Sequence, residues 1–359
     1  MAQHTEPTEE DSSGKLSIID TDVHQTRADD EEIAAYLPPR YQSIGVELPG
    51  RMYNNPGGVL REDAQTADGG PAGSTPENLR TNLFDLYDID YGVLTGDFLT
   101  VSLLPNRDYA GELARAYNEW MVEKWLPADD RFLGSVVIAP QNPEQAAELI
   151  REYGQHDQMV QVLMNSVSRG GYGEPRFWPI YEAATEMDLP VAMHPSNQGA
   201  GMSEPPNAVG YPTNYFARHN AMPMLHIGQL NSLMSEGVFA KFPDLDFVFI
   251  ECGFTWVPMM MWRMDKDWKG LRQQVPWLDK PPSEYIIENT YYTTQPIAEP
   301  EKPEYLTQIL EMMHAEETLM FSTDYPHWDN DDPRYAMPKM PEPMNSRVMY
   351  ENARELYGL

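Results

Sequence analysis

The sequence predicts an α/β barrel of the TIM type, in which eight parallel strands alternate with helices. Three observations support this fold class. The chain has 359 residues, a length that suits one barrel of about 250 residues or more. Eight short apolar runs are typical of strands buried on both faces, and longer amphipathic segments separate them. The eight runs cover residues 16–20, 91–95, 133–139, 159–164, 190–194, 247–251, 287–292 and 319–324.

The segments between these runs show helical periodicity. Leu79, Leu83 and Leu86 are spaced i, i+4 and i+7, which places them on one face of a helix. Thr75 followed by Pro76 is typical of a capping residue followed by the first turn of a helix. The predicted helices cover residues 76–89, 109–126, 143–154, 175–188, 221–241, 256–269 and 302–314.

The domain organisation is expected to be simple. Residues 1–14 are polar and acidic and offer almost nothing to bury, so they are predicted to form a disordered lead. Residues 15–359 are predicted to form a single barrel domain. Three long segments rich in Pro, Gly or Asp interrupt the alternation, at 38–75, 195–215 and 325–345. Long loops in a compact domain are usually functional or disordered, and we expect these to determine the substrate.

The charge of the chain excludes several classes of partner. It carries 56 acidic and 25 basic side chains, and its formal net charge is −31. This charge repels nucleic acid and anionic membranes, so neither is expected to bind. The acids are scattered along the chain and only 8 of the basic residues are Lys. Such a composition resembles the hydrated surfaces of proteins from salt-loving microbes, with a cationic partner as the alternative explanation.

The cysteine count and the apolar segments bear on compartment and assembly. Cys252 is the only cysteine, so no intrachain disulfide can form. The sequence begins with no basic stretch followed by an apolar stretch, and no apolar run reaches about 18 residues. We therefore expect a cytoplasmic protein. The Met- and Trp-rich segment 254–268 is predicted to pack in the core or at a subunit interface, and we expect a homo-oligomer such as a dimer.

Side chains with metal-binding or acid-base chemistry end four of the predicted strands. Asp22 and His24 follow the first strand, His194 ends the fifth, Glu251 the sixth and Asp324 the eighth. In such a barrel the active site lies at the C-terminal ends of the strands, so these side chains should meet there. Asp22 and His24 are two residues apart and point to the same face of an extended segment. We predict that Asp22, His24, His194 and Asp324 bind one divalent ion, zinc by first expectation and manganese or iron as alternatives.

Several motifs together resemble the amidohydrolase-related family that includes aminocarboxymuconate semialdehyde decarboxylase. The motifs are "IIDTDVH", "LPVAMHP", "FVFIECGFTWVP" and "LMFSTDYPHWDNDDP". The resemblance implies that His24, His194 and Asp324 are metal ligands. Asp22 stands where the family's first strand carries the first His of an H-x-H motif, and some decarboxylases of the family are similar in having a carboxylate there. This change favours harder metals.

A second departure from the family concerns the sixth strand. The decarboxylases of the family end this strand with a catalytic His, and this chain has Glu251 there. We interpret Glu251 as an acid or base or as a substrate contact, with a buried structural carboxylate as the alternative. The departure shifts the expectation from decarboxylation towards hydrolysis.

We therefore interpret the chain as a metal-dependent hydrolase of a small organic substrate. A bound divalent ion lowers the pKa of its water to about 7 and supplies a nucleophile. Asp324 is predicted to be a ligand that also accepts a proton from this water, and Glu251 is predicted to protonate the leaving group. The first alternative is a non-oxidative decarboxylase of an aromatic or dienoic carboxylate. The second is a barrel that has lost its chemistry and serves only for binding.

Four further residues are candidate substrate contacts. Arg169 follows the fourth strand, and its guanidinium is able to anchor a substrate carboxylate through two hydrogen bonds. A surface ion pair is the alternative role for Arg169. His219, His226 and His327 lie near the fifth, sixth and eighth strands. Each either contacts the substrate or fills a position in the core or a loop.

Overall fold

The computed structural model describes residues 17–205 and 207–359. The predicted disordered lead at 1–14 lies outside the described residues. Eight strands form, and each overlaps one of the predicted apolar runs. The strands are β1 (Ile19–Val23), β2 (Tyr91–Leu94), β3 (Phe132–Val137), β4 (Met159–Asn165), β5 (Val191–His194), β6 (Phe247–Phe249), β7 (Thr290–Thr293) and β8 (Leu319–Met320).

All eight strands belong to one parallel sheet, in which each strand pairs with the next along the chain. Hydrogen bonds also join β1 to the segment that follows β8. The Thr21 N–H donates to the Phe321 carbonyl at 3.0 Å, and the His24 N–H donates to the Tyr325 carbonyl at 2.8 Å. The sheet therefore closes on itself, and the predicted (β/α)8 barrel is confirmed.

Helices surround the barrel, and each of the seven predicted helical segments overlaps at least one of them. The longer helices are α5 (Arg107–Trp120), α6 (Pro143–Tyr153), α7 (Trp178–Glu186), α9 (Met222–Ser235), α11 (Val257–Leu271), α12 (Pro282–Asn289) and α13 (Pro303–Met312). The shorter ones are α1 (Glu31–Ala34), α2 (Pro39–Gln42), α3 (Pro76–Leu79), α4 (Asp85–Tyr87), α8 (Tyr215–Asn220), α10 (Val238–Lys241), α14 (Ala315–Thr318), α15 (Met344–Ser346) and α16 (Asn352–Tyr357).

The amphipathic pattern decides how these helices pack. In α5 the side chains of Leu113, Tyr117 and Trp120 are at most 1% exposed, because the helical spacing brings them to the face that contacts the barrel. Asn106 caps this helix by accepting a hydrogen bond from the Tyr109 N–H. In the parts of the chain that are described, no helix is both long enough and apolar enough to cross a membrane.

Several predicted strands differ in their bounds from the structure. β1 lies three residues later than predicted, so Asp22 belongs to it, and β6 ends at Phe249. Residues 287–289 belong to the end of α12, because Pro282 begins a helix that continues to Asn289, and β7 starts only at Thr290. β8 is shorter than the apolar run that predicted it. The Ser322 and Thr323 N–H groups donate to side-chain oxygens of Thr294 and Asp20, so these residues leave the strand ladder.

Candidate active site

The four predicted metal ligands meet at the C-terminal mouth of the barrel. One ligand atom from each of Asp22, His24, His194 and Asp324 lies within 4.8 Å of those of the other three. The Nε2 atoms of His24 and His194 are 3.3 Å apart, and His24 Nε2 lies 2.9 Å from Asp324 Oδ1. All four side chains are at most 3% exposed. We call these four residues the ligand cluster.

Backbone carbonyls orient both imidazoles of the cluster. The Nδ1 of His24 lies 2.6 Å from the Gly96 carbonyl oxygen, and the Nδ1 of His194 lies 2.8 Å from that of Pro195. A carbonyl oxygen only accepts, so Nδ1 carries the hydrogen in both rings. The Nε2 atoms then face each other and the carboxylates, as in histidines that bind metals.

The carboxylates of the cluster have oxygens without hydrogen-bond partners. Asp22 Oδ1 accepts a hydrogen bond from the Thr95 hydroxyl at 2.6 Å, but Asp22 Oδ2 and Asp324 Oδ2 are buried and accept no hydrogen bond within the described residues. Asp22 Oδ2 lies 3.5 Å from His194 Nε2. A buried oxygen without a partner costs about 1–3 kcal/mol. Two such oxygens beside two converging imidazole nitrogens fit a divalent cation, so the residues present suit the expected metal.

The charged groups of the cluster shift one another's pKa values. Burial opposes the ionisation of Asp22, but His194 and His24 outweigh it and lower the pKa of Asp22 to about 2. Burial likewise opposes the charged form of His24, yet the carboxylates of Asp22 and Asp324 raise the pKa of His24 to about 9. A proton on His24 therefore supplies the charge that a bound cation would bring.

Glu251 faces the cluster from the end of the sixth strand. Its Oε2 lies 3.3 Å from His194 Nε2, and its N–H donates to the Thr293 hydroxyl at 3.1 Å. Burial raises the pKa of Glu251 well above its ordinary value, and Asp324 and Asp22 add to this effect. Glu251 and Asp324 have φ angles of 56° and 62°, in a left-handed region that non-glycine residues seldom adopt. Backbone strain of this kind is often found at functional sites.

A cavity of about 250 Å³ opens above the cluster. Its floor contains His24, His194 and Glu251. Much of its wall comes from the three long segments that the sequence predicted to determine the substrate. They contribute residues 48–53 and 59, residues 195–198 and 215, and residues 327–329. The wall is completed from outside these segments by Arg27, Gly96, Asp97, Leu99, Thr100 and Arg218. The barrel therefore supplies the chemical groups, and the three segments shape much of the space around them.

The structure separates the four remaining candidate contacts. His327 lines the cavity, and its Nδ1 lies 2.6 Å from Asp324 Oδ1. His219 lies behind the cavity wall, where its Nε2 is 3.1 Å from Asp329 Oδ2. His226 is fully buried against Phe249, and burial lowers its pKa to about 3, so it is a neutral core histidine.

Arg169 does not reach the cavity of the ligand cluster. The loop after β4 carries it outward to a second cavity, which it shares with Arg107 and Arg176. Arg27, Arg51 and Arg218 place guanidinium groups in the first cavity, and the sequence interpretation singled out none of them. Nearness to the predicted loops 38–75 and 195–215 is a sequence signal that could have indicated Arg51 and Arg218, which lies on α8.

The sequence and the structure were compared with those of known proteins. The model of the amidohydrolase family Amidohydro_2 matches residues 103–359, which is more than half of the chain. The chain belongs to this amidohydrolase family. The predicted family is confirmed, and the protein is an enzyme.

Relatives and solved structures agree with the fold. The γ-resorcylate decarboxylase of Rhodococcus jostii is 29% identical over 274 residues, which are 70% of this chain and 77% of that protein. The 2,6-dihydroxybenzoate decarboxylase from Rhizobium superposes with a TM-score of 0.67 at 21% identity, over 96% of this chain and 99% of that one. The 5-carboxyvanillate decarboxylase of Novosphingobium aromaticivorans, solved with manganese, superposes with a TM-score of 0.70 at 20% identity, over 99% and 100%.

Proposed function

We propose that the protein is a metal-dependent carboxy-lyase that removes a carboxylate group from a small aromatic acid. The observation that carries this proposal is the ligand cluster at the barrel mouth, where two imidazoles and two carboxylates converge below a cavity for a small molecule. The similarity to γ-resorcylate decarboxylase supports decarboxylation more than it supports the hydrolysis expected from the sequence. The first alternative of the sequence interpretation is therefore preferred.

The cluster would hold one divalent ion through His24 Nε2, His194 Nε2 and oxygens of Asp22 and Asp324. We propose manganese, because two carboxylates favour a hard ion and a similar solved structure holds manganese. Zinc, the first expectation from the sequence, and iron remain as alternatives. When bound, the ion supplies a positive charge that attracts a substrate carboxylate and withdraws electron density from it.

The proton that the reaction needs is assigned to Glu251. Decarboxylation breaks the bond between a ring carbon and the carboxylate, forms a bond from that carbon to hydrogen, and releases CO₂. The Glu251 carboxyl group borders the cavity 3.3 Å from His194, where its O–H would donate to the ring carbon. Solvent entering the cavity would return the proton to Glu251 after CO₂ leaves.

Asp324 and His327 are assigned to keep the cluster in place. Asp324 Oδ1 lies 2.9 Å from His24 Nε2 and 2.6 Å from His327 Nδ1, so one oxygen contacts both rings. The ring centroids of His24 and His327 are 4.1 Å apart. This packing fixes the ring of His24 beside Asp324.

Hydrolysis is the second candidate function, and the presence of a carboxyl group at position 251 beside the cluster favours it. In that reaction Asp324 would accept a proton from the attacking water, and Glu251 would protonate a heteroatom leaving group. Both reactions use the same cluster, so a substrate panel is needed to distinguish them.

The test uses manganese-loaded protein and two sets of compounds. One set contains aromatic carboxylates labelled with ¹³C in the carboxyl group, including 2,6-dihydroxybenzoate and 5-carboxyvanillate. The other contains esters, lactones and amides. We expect labelled CO₂ from at least one carboxylate, with a rate that falls by about 100-fold or more in Glu251→Gln. The matched control is Glu236→Gln, an exposed glutamate at the end of α9.

Two results would contradict this proposal. Turnover of an ester, lactone or amide without CO₂ release would favour hydrolysis. Stoichiometric metal binding with no turnover in either set would favour the barrel that has lost its chemistry.

A further inference from the structure

Two side chains with hydrogen-bond donors lie on the cavity wall and have no role in the proposed reaction. The pair consists of Gln198 and Arg218, which both line the cavity. The Arg218 Nε–H donates to Gln198 Oε1. Because Nε has a hydrogen and no free lone pair, this contact fixes the amide with its oxygen towards Arg218. The Gln198 NH₂ group then points away from Arg218 Nε. It is buried and has no hydrogen-bond partner among the described residues.

Neutral groups hold the guanidinium of Arg218. It packs over the ring of Tyr215 at 5.5 Å, and the Tyr215 hydroxyl accepts a hydrogen bond from Trp328 Nε1 at 3.3 Å. Within residues 17–205 and 207–359, no carboxylate forms an ion pair with Arg218. Arg27 on the same cavity wall differs, because Asp30 and Asp97 both contact it at 2.6 Å. Arg218 therefore has charge and N–H groups available for a ligand.

The backbone around Gln198 is held in an unusual conformation. Asn197 has a φ angle of 45°, and Gly199 has a φ angle of 86°. A Cβ atom at position 199 would lie 2.9 Å from the Met52 sulfur, so the segment packs tightly against the loop that contains residues 48–53. Gln198 is only 1% exposed as a result. Left-handed residues persist where the surroundings impose them, and they are concentrated at binding sites.

We propose that Gln198 and Arg218 form an anion subsite for a second carboxylate, one that the substrate retains when the other is lost at the ligand cluster. This inference rests on the proposed function for the position of the first carboxylate. A guanidinium and an amide NH₂ group together match the oxygens of a carboxylate. A cavity of about 250 Å³ suits a substrate with one ring. The preferred class of ligand is therefore an aromatic dicarboxylate.

The test compares two probes that differ in one carboxylate, isophthalate and benzoate. Their binding to manganese-loaded protein is measured by isothermal titration calorimetry. We expect isophthalate to bind at least about 10-fold more tightly than benzoate, because hydrogen bonds between charged groups favour the second carboxylate. Arg218→Met should remove this preference. The control is Arg107→Met, which removes an exposed guanidinium at the start of α5 and should keep the preference.

A second variant keeps the inference testable if Arg218→Met fails to fold. Gln198→Glu has nearly the same shape, preserves the contact with Arg218 and places a negative charge beside it. We expect it to remove the preference for isophthalate, and manganese binding with the wild-type stoichiometry would show that the variant folds. Equal binding of the two probes to the wild type, or a preference that survives in both variants, would overturn the inference.

Failure of this inference is distinguishable from failure of the proposed function. Binding of isophthalate requires no turnover, so a preference that depends on Arg218 would support the subsite even if no compound releases CO₂. Release of CO₂ from monocarboxylates by a protein without the preference would support the carboxy-lyase and reject the subsite.

Discussion

Asp246, at the N-terminal side of β6, is predicted to destabilise the protein at neutral pH. Its carboxylate is partly buried and forms no hydrogen bond or ion pair within the described residues. Burial, with a contribution from Asp188, raises the pKa of Asp246 from 3.8 to about 6. The folded state therefore holds the proton more tightly than the unfolded state. The stabilisation by the protonated form is complete below pH 3.8 and is lost as the pH rises through about 6.

The size of the effect follows from these pKa values. The difference between 3.8 and about 6 corresponds to about 3 kcal/mol at most. Solvent reaches part of the side chain and screens its charge, so we expect about 1–2 kcal/mol. Asp246→Asn keeps the shape and removes the charge. It should raise the free energy of unfolding at pH 7 by this amount, and the gain should shrink as the pH falls from about 6 to about 4.

The measurement is urea denaturation of both proteins between pH 4 and pH 8. Any variant that removes an acid makes the net charge of −31 less negative and so weakens the repulsion among the acids of the chain. Asp244→Asn in the same loop serves as the control for this general effect. Asp244 is exposed and should give a smaller gain. The reasoning is refuted if the two variants stabilise equally at pH 7, or if the gain of Asp246→Asn is unchanged at pH 4.

Three further predictions concern the metal site and the surface. Asp324→Ala should lower the manganese bound per chain, measured by elemental analysis, while circular dichroism stays close to wild type because the barrel core is untouched. Gly96→Ala should weaken manganese binding by about 10-fold or more in a metal titration. A Cβ atom at this position would lie 1.8 Å from the Tyr117 hydroxyl oxygen. The resulting shift of the backbone would displace the Gly96 carbonyl, which orients His24. The unfolding temperature should rise from about 0.1 M to about 2 M KCl, because salt screens the repulsion among the acids; a flat or falling midpoint would contradict the salt-adapted interpretation.

Much of the ligand cluster could be predicted because local sequence determines it. The apolar runs before Asp22, His194 and Asp324 define buried strands, and the parallel order brings their C-terminal ends to one mouth. No information about distant contacts is needed for that step. The alternation of strands and helices also predicts the closed barrel, since eight consecutive strand–helix units are the number that closes a barrel of this type.

The cavity wall could not be predicted in the same way. Gln198 and Arg218 are separated by twenty positions along a segment without strands, and their contact depends on the left-handed turn at Asn197. Arg169 follows a strand, which made it a reasonable candidate, but its loop turns away from the mouth. Local patterns predict where strands end, whereas tertiary packing sets the path of the loop beyond each end.

Counting charges at the mouth explains why a residue of the cavity wall would decide the substrate. Asp22 and Asp324 carry two negative charges when ionised, and these offset the charge of one divalent ion. The two imidazoles of the cluster are neutral as metal ligands. A loaded cluster of this composition therefore has no net positive charge, unlike one with a third imidazole in place of Asp22. An anionic substrate then depends on cations outside the cluster. Arg27 is neutralised by two carboxylates, and Arg51 is exposed at the rim. On the proposed function, Arg218 would carry the main attraction for a second anionic group, while the cluster would carry the chemistry.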